Sequence, residues 1–536
     1  MAEKGATDAQ VEHLEPDHED ATLALTPLAA RFEAREQSLT RSEAIKENIK
    51  PILWCMYMFF ICVTWGFDGL AGAIVLAIAA FRKDFGRPYA GDYVVDANWQ
   101  LGWMGATIFG LVFGAFVTGL TVNKWGRQPS IAVAYILSVG GIFLQVFAKT
   151  PVQFFGSKIL TGLPMGCFTT VAPTYASEMA PTSIRGAITA GMNFAIVLGQ
   201  LIAYGVMREA SKYNGAMSYK VLFATQWGFA LVGLAILPWF PESPYWLIAH
   251  GRDEKARQNI AKLHKSDYDV DGKMAEIQQS LARLNQDNSS QGSMAECLSR
   301  KQLKRTVVAT SMFFIQTASG NAWVVGYMSY FMQLAGMDTA KSFDTTVGLC
   351  GLMVVGNICG WFFVEWFGRR NTALWGTAGL AVTLLLIGIL AVVNAPGAIW
   401  GQIVFMAVWS FVYQATIGSV AWPITSENAT SRLRAPTQAL ATMVNGLSAS
   451  IWSFSLPYAI NPDQGNLGGK IAFIFGAILV IATVFVYFMI PETGKRTYTE
   501  IDELWSRGIS PRSFHKTKLV TLADAGAKDV EEKTEN

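Results

Sequence analysis

The chain alternates between two kinds of stretch. Runs almost free of charge lie near 52–80, 101–121, 131–148, 154–176, 187–207 and 221–240, and again near 305–335, 344–364, 372–392, 399–424, 436–457 and 469–490. Around them, residues 1–50, 251–304 and 492–536 are polar and rich in charge. A helix needs ~20 residues to cross a hydrocarbon core of ~30 Å, and most of these runs are long enough. The pattern predicts an all-α integral membrane protein with twelve transmembrane helices, six on each side of a long polar interval. Glycine and proline inside a run, such as Gly162, Pro164 and Gly166, are compatible with this because neighbouring helices re-satisfy the backbone.

Composition agrees with the pattern. Only 15% of the 536 residues are charged and 51% are hydrophobic, against about 25% charged in soluble domains. A soluble protein with twelve buried helices would need a polar shell that this chain lacks. The net charge of +2 offers no field for polyanions, which argues against nucleic acid as a partner. The six cysteines form no CxxC pair, so neither a disulfide framework nor a metal site is indicated, and no cofactor is expected.

The first fifty residues contain no short apolar run with a cleavage site, so the N-terminus is expected to stay in the cytosol. Lysine and arginine are more frequent in the loops that would then face the cytosol, among them Lys124, Arg127, Arg369 and Arg370. This bias puts both termini inside. The expected organisation is a cytosolic tail over 1–50, a six-helix bundle over 51–240, an intracellular helical domain over 241–304, a second bundle over 305–490 and a cytosolic tail over 491–536. Residues 1–45 and 510–536 read as disordered from their polarity. Asn288-Ser289-Ser290 fits a glycosylation acceptor but would be cytosolic and inert.

The two halves repeat one another. Trp125-Gly126-Arg127 matches Phe367-Gly368-Arg369, Ser177-Glu178 with Arg185 matches Ser426-Glu427 with Arg434, and Pro241-Glu242-Ser243 matches Pro491-Glu492-Thr493, at offsets of 242, 249 and 250 residues. Each half holds six runs, so the repeat is parallel, an arrangement used by alternating-access transporters. Glu178 and Glu427 are expected to pair with Arg127 and Arg369 of their own half. Together with Arg185, Glu242, Arg434 and Glu492 they form candidate gating charges that open as the halves rock. Asp68 is the one carboxylate inside a long apolar run. An isolated charge there must pair, titrate or face water, and Lys158 in the fourth run is the natural partner.

These motifs resemble the major facilitator superfamily and, within it, the sugar porters, over about residues 50–505. The matching strings are Asn123-Lys124-Trp125-Gly126-Arg127, Pro241-Glu242-Ser243-Pro244-Tyr245-Trp246-Leu247, Trp366-Phe367-Gly368-Arg369-Arg370 and Pro491-Glu492-Thr493. The fold this implies is the major facilitator fold, two six-helix bundles with a small cytosolic helical domain. A narrower resemblance to fungal maltose and other α-glucoside proton symporters rests on Gln316 to Gly320, Gly326 to Phe331, and Asn461-Pro462-Asp463 with Gly468 to Phe473.

The resemblance implies a transporter rather than an enzyme, acting as a monomer in the lipid of the plasma membrane, with a sugar and protons as its partners. A sugar needs hydrogen-bonding amides and an aromatic face. In the sugar porters, the positions of Gln200, Gln316 and Trp422 contact the sugar. Asn445 stands where relatives often carry Gln, and Asn321 and Asn357 are further candidates. In related proton symporters an Asp occupies the position of Asp68 and an Arg that of Lys158, which implies a proton-coupling role for the pair. Ala322, Gly326 and Ser419 replace bulkier or stiffer residues of hexose porters, which favours a disaccharide. The alternatives are a facilitative hexose or polyol carrier, and a sugar sensor without flux.

Overall fold

The protein is described here from a computed structural model. Described are residues 27–517, apart from 30, 33–34, 37–38, 90–91, 182–183, 267, 289–293, 335, 394–396, 430–432 and 495–497.

Each charge-poor run is helical. The first six spans are Ile49–Ile74, Ala97–Trp125, Arg127–Phe147, Pro151–Met179, Arg185–Ala210 and Met217–Ile236. The seventh is broken into Leu303–Gln316 and Ala322–Leu334, and the eighth and ninth are Thr339–Trp366 and Arg369–Val392. The tenth is broken into Ala398–Ala415 and Ile417–Glu427, and the last two are Arg434–Ile460 and Ala472–Met489. Eight of the twelve, over the described residues, are both long and apolar enough to cross a membrane.

Apolar side chains turn outward along these helices. Phe109, Val112, Phe116 and Leu120 on the second span are each about 60% exposed, a continuous face that only lipid would cover. Trp125, Trp239 and Trp366 stand exposed where the second, sixth and eighth spans end, as expected of tryptophans at a membrane interface.

The first half is held by glycine seams. A methyl group on Gly114 would stand 2.2 Å from the Leu163 carbonyl oxygen, and one on Gly166 2.2 Å from that of Leu111. The second and fourth spans therefore touch backbone to backbone, the small-residue packing that membrane helices use in place of a hydrophobic drive. Gly66 and Gly199 do the same for the first and fifth spans, with carbonyls of Ile196 and Val63 at 2.1 Å from the missing methyl.

One end of the bundle carries four short helices, Pro244–Ala249, Asp253–Leu263, Val270–Asn288 and Met294–Cys297; we call it the helical end. At the other, the hairpin end, Arg87–Tyr89 pairs antiparallel with Asp92–Val94. The expectation of disorder over 1–45 is corrected for its described part. Ala29, Phe32 and Glu36 share one helical face and are buried, with Phe32 edge-on to Tyr268 at 6.0 Å. Thr40 then caps the helix Arg41–Glu47 in a reciprocal box with Glu43. Average polarity hid one amphipathic stretch. The same holds after residue 510, where Phe514 is buried against Trp505 at 5.4 Å. The Asn288-Ser289-Ser290 motif falls partly outside the described residues.

Candidate transport site

The repeated loops build two equivalent charge clusters at the helical end. Gly126 and Gly368 have φ of 97° and 80°, a conformation glycine adopts without strain. Each is followed by a helix whose first amides need acceptors. Glu242 supplies them in the first half, accepting from Arg127 N at 2.9 Å and Gln128 N at 3.1 Å. Glu492 does so in the second, from Arg369 N and Arg370 N at 3.0 Å each. A side chain on either glycine would collide with these carboxylates, so glycine is required twice over. Arg127 pairs with Glu178 at 2.5 Å and Arg369 with Glu427 at 3.0 Å. Thr493 also donates to Glu427 at 2.5 Å. Among the candidate gating charges, then, Glu242 and Glu492 are anion caps of helices rather than arginine partners. Arg185 and Arg434 begin the fifth and eleventh spans, but their side chains lie outside the described set.

Contacts between the halves concentrate toward the hairpin end. Arg87 bridges Asp96 at 2.5 Å and Asp463 at 2.7 Å. Tyr89 donates to the Pro462 carbonyl at 3.2 Å, and Tyr458 to Asn98 at 2.7 Å. Gln100 donates to Asn461 at 3.1 Å, and Asn461 to the Val95 carbonyl at 3.1 Å. Deeper in, Tyr204 of the fifth span donates to the Val325 carbonyl. At the helical end, among the described residues, hydrogen bonds link the spans of each half only to their own half. The bundle is thus closed at the hairpin end.

The amides of the candidate sugar site lie between these ends. Gln200, Asn321 and Asn445 are half-buried, and their side chains bond to no described residue. Gln316 is half-buried beside the Tyr413 hydroxyl. Trp422 is 48% exposed and stands edge-on to Phe313 at 4.9 Å, which ties the tenth span to the seventh. Both broken spans carry site residues. Gly320, with φ of 87°, interrupts the seventh between Gln316 and Asn321, and Thr416 interrupts the tenth.

Asn357 is placed differently. It is 1% exposed and donates to Gln414 at 3.3 Å, a helix-to-helix bond inside the second half. Asn193 of the fifth span donates to the same Gln414 oxygen at 3.4 Å, so this amide trio joins the halves. Sequence reasoning missed Asn193 and Gln414, although both are amides inside apolar runs and met the same criterion. Two residues taken to enlarge the site are also occupied by packing. Ser419 wedges into the space left by Gly360, and Gly326 abuts Ala73 of the first span.

Asp68 and Lys158 are both buried, at 9% and 6% exposure, on the first and fourth spans. They do not form a contact ion pair: Asp68 Oδ1 has no partner, and the ammonium lies over the rings of Phe154 at 5.0 Å and Phe223 at 5.6 Å. The reason is Gly72, one helical turn beyond Asp68. A methyl group there would stand 2.5 Å from Lys158 Nζ, so the lysine fills that notch instead of reaching the carboxylate. Aromatic faces hold the cation in place of an anion.

Two helical halves with a repeated loop signature, polar groups between them and one end shut define a membrane transporter of the major facilitator superfamily, not an enzyme. The chain belongs to the family described as "Sugar (and other) transporter", whose model matches residues 54–505. Among curated proteins, the "General alpha-glucoside permease" of Saccharomyces cerevisiae is 29% identical over 519 residues, covering 95% of this chain and 84% of that one. "Maltose permease MAL61" of the same organism is 28% identical over 515 residues, 94% and 83% of the two chains. "MFS transporter fmqE" of Aspergillus fumigatus is 29% identical over 528 residues, 96% and 98% of the two. Among solved structures, the inward-open xylose transporter XylE from E. coli has a TM-score of 0.70 at 21% identity, covering 85% of this chain and all of that one.

Proposed function

We propose that this transporter is a proton-coupled symporter that imports an α-glucoside or similar disaccharide across the plasma membrane, with both termini in the cytosol. The observation that carries the coupling is the Asp68–Lys158 arrangement. A carboxylate and an ammonium are buried on facing helices, poised one turn apart, with an aromatic seat for the lysine when it leaves the carboxylate. With the hairpin side facing out, a proton on Asp68 neutralises it and leaves Lys158 in its aromatic seat. The first half can then close over bound sugar. On the inside the proton leaves, and the charged Asp68 draws Lys158 back. The structure, closed at the hairpin end with the pair apart, fits the step just before that proton leaves.

The sugar is held by Gln200, Gln316, Asn321 and Asn445 with Trp422 as the stacking face. Asn193 and Gln414 carry its presence from one half to the other. The disaccharide assignment rests on Ala322 and on the permease relatives, because Gly326 and Ser419 are used in packing. The family description, "Sugar (and other) transporter", leaves room for a second reading, a non-sugar solute in the same site.

Uptake of labelled maltose into proteoliposomes, competed by hexoses, α- and β-linked disaccharides, polyols and sugar acids, tests the substrate. Best competition by α-linked disaccharides is expected. Free glucose competing best, with no disaccharide taken up, would overturn the assignment. Sugar-induced alkalinisation of the medium separates symport from a facilitative carrier, and binding without flux would identify a sensor.

A further inference from the structure

The symport reading leaves the proton's way out of the first half unassigned, and the inference below rests on that reading. Tyr57, Thr64 and Asp68 recur at seven and four residues along the first span, on one face of the helix. All three are buried, at 5%, 0% and 9% exposure. Opposite them, on the third span, Tyr135 is fully buried and its ring occupies the space that Gly233 of the sixth span leaves free. A methyl group on Gly233 would stand 2.3 Å from the Tyr135 hydroxyl.

That hydroxyl meets Tyr57 at Gly233, whose carbonyl accepts from the Tyr57 hydroxyl at 2.8 Å, and Thr64 and Asp68 follow two and three turns along the same face of the first span. Yet the Tyr135 hydroxyl makes no hydrogen bond, and neither does Asp68 Oδ1. Buried polar groups are almost always partnered, so two orphans on one polar line mark a place where a proton or a water passes. Thr64 donates to the Phe60 carbonyl at 3.1 Å and Tyr57 to the Gly233 carbonyl at 2.8 Å, which leaves their oxygens free to accept.

The line runs one way only. Beyond Asp68 toward the hairpin end the first span buries Leu70, Ala71, Ile74, Val75 and Leu76, none of which can pass a proton. The other charge facing Asp68 is Lys158 on the fourth span. The fifth span meets this stretch of the first through Ile196 and Gly199, and the sixth through Phe229, so neither brings a titratable group.

We propose that Thr64, Tyr135 and Tyr57 form a buried hydroxyl relay that carries the Asp68 proton toward the helical end. The protonated carboxyl gives its proton to the Thr64 oxygen as Thr64 gives its own to Tyr135. Tyr135 passes one to Tyr57, and Tyr57 passes one to a water at the helical end. Each hydroxyl receives one proton and releases one, so none is left charged.

The full-length protein in proteoliposomes holding a pH-sensitive dye, with labelled maltose as the probe, tests the relay. Tyr135→Phe is expected to slow maltose-coupled proton movement and gradient-driven accumulation by at least about tenfold, while maltose counterflow, which needs no net proton transfer, stays near wild type. Tyr57→Phe should act in the same sense and more weakly. Wild-type proton movement in Tyr135→Phe would overturn the relay. Equal loss of counterflow and coupling would also overturn it, because the tyrosine would then be structural. A wild-type protein that takes up maltose without moving protons fails earlier, at the symport reading itself.

Discussion

The two halves share a repeat, but they use it differently. In the first half the helices run unbroken and press backbone to backbone along Gly66, Gly114, Gly166 and Gly199. In the second, the seventh span breaks at Gly320 and the tenth at Thr416. The tight, continuous half contains the buried charges Asp68 and Lys158. The broken half contains most of the candidate solute-binding groups, the half-buried Gln316, Asn321 and Asn445 and the exposed Trp422. A buried charge needs a rigid, dry surrounding to keep its meaning, whereas a solute site needs helices that can move a few residues without unfolding. On the proposed function, one half handles the proton and the other grips the solute.

The largest effect should come from removing the charge in the rigid half. Asp68→Asn is expected to abolish accumulation against a gradient while leaving part of the counterflow. Gln316→Ala in the broken half should do the reverse, raising the apparent KM with the proton-to-sugar ratio unchanged. Uptake measured with and without a proton gradient in both variants decides it, and a coupling defect in Gln316→Ala would erase the division between halves.

The seams come next. Gly114→Val forces a side chain into the Leu163 carbonyl, and overpacking of this kind costs typically 1–3 kcal/mol or about that order. Gly320→Ala presses on the Phe475 ring at 3.3 Å, which must give by a few tenths of an ångström, and must hold φ of 87°, at about 1–2 kcal/mol for the backbone. Thermal unfolding in detergent should rank Gly114→Val below Gly320→Ala. Transport per folded molecule should fall more for Gly320→Ala, because it stiffens the hinge next to Gln316.

Much of this was legible in the chain. Twelve charge-poor runs become helices because a run without charge has no other way to satisfy its backbone in lipid. The repeated Gly-Arg and Pro-Glu motifs also read clearly, since each is a local device: a positive-φ glycine, a helix start and a capping carboxylate. What was not legible depends on which face a side chain takes. Asn357 and Asn321 look alike in sequence, yet one bonds Gln414 and the other is half-free. Lys158 was paired with Asp68 on chemistry, but the Gly72 notch that seats it one turn away is a fact of packing. The Asn461-Pro462-Asp463 string was legible as a signature, while its contact with a hairpin more than 360 residues earlier in the chain was not.

That string sharpens the comparison where the halves meet. Every one of its three residues touches the first half: Asn461 through Gln100 and Val95, Pro462 through Tyr89, and Asp463 through Arg87. Asp463 has a nearly buried side chain at 3% exposure, whereas Arg87 is 51% exposed. The pair is therefore asymmetric. Screening limits what the exposed arginine contributes, but its loss leaves a buried carboxylate with one fewer partner. Arg87→Ala should weaken closure at the hairpin end without touching either the charge pair or the solute amides. The expected result is a shift of a few-fold toward the form open at that end. Cysteine labelling of single-cysteine reporters at Val95 and Ile460 in a cysteine-free background reads this directly, because both are buried beside the contact between the halves in this closed form. Faster labelling in Arg87→Ala, with maltose-coupled proton stoichiometry unchanged, would show that the clasp sets the balance between the two faces. Unchanged labelling would put the closure in Gln100, Asn461 and the second half of the seventh span instead.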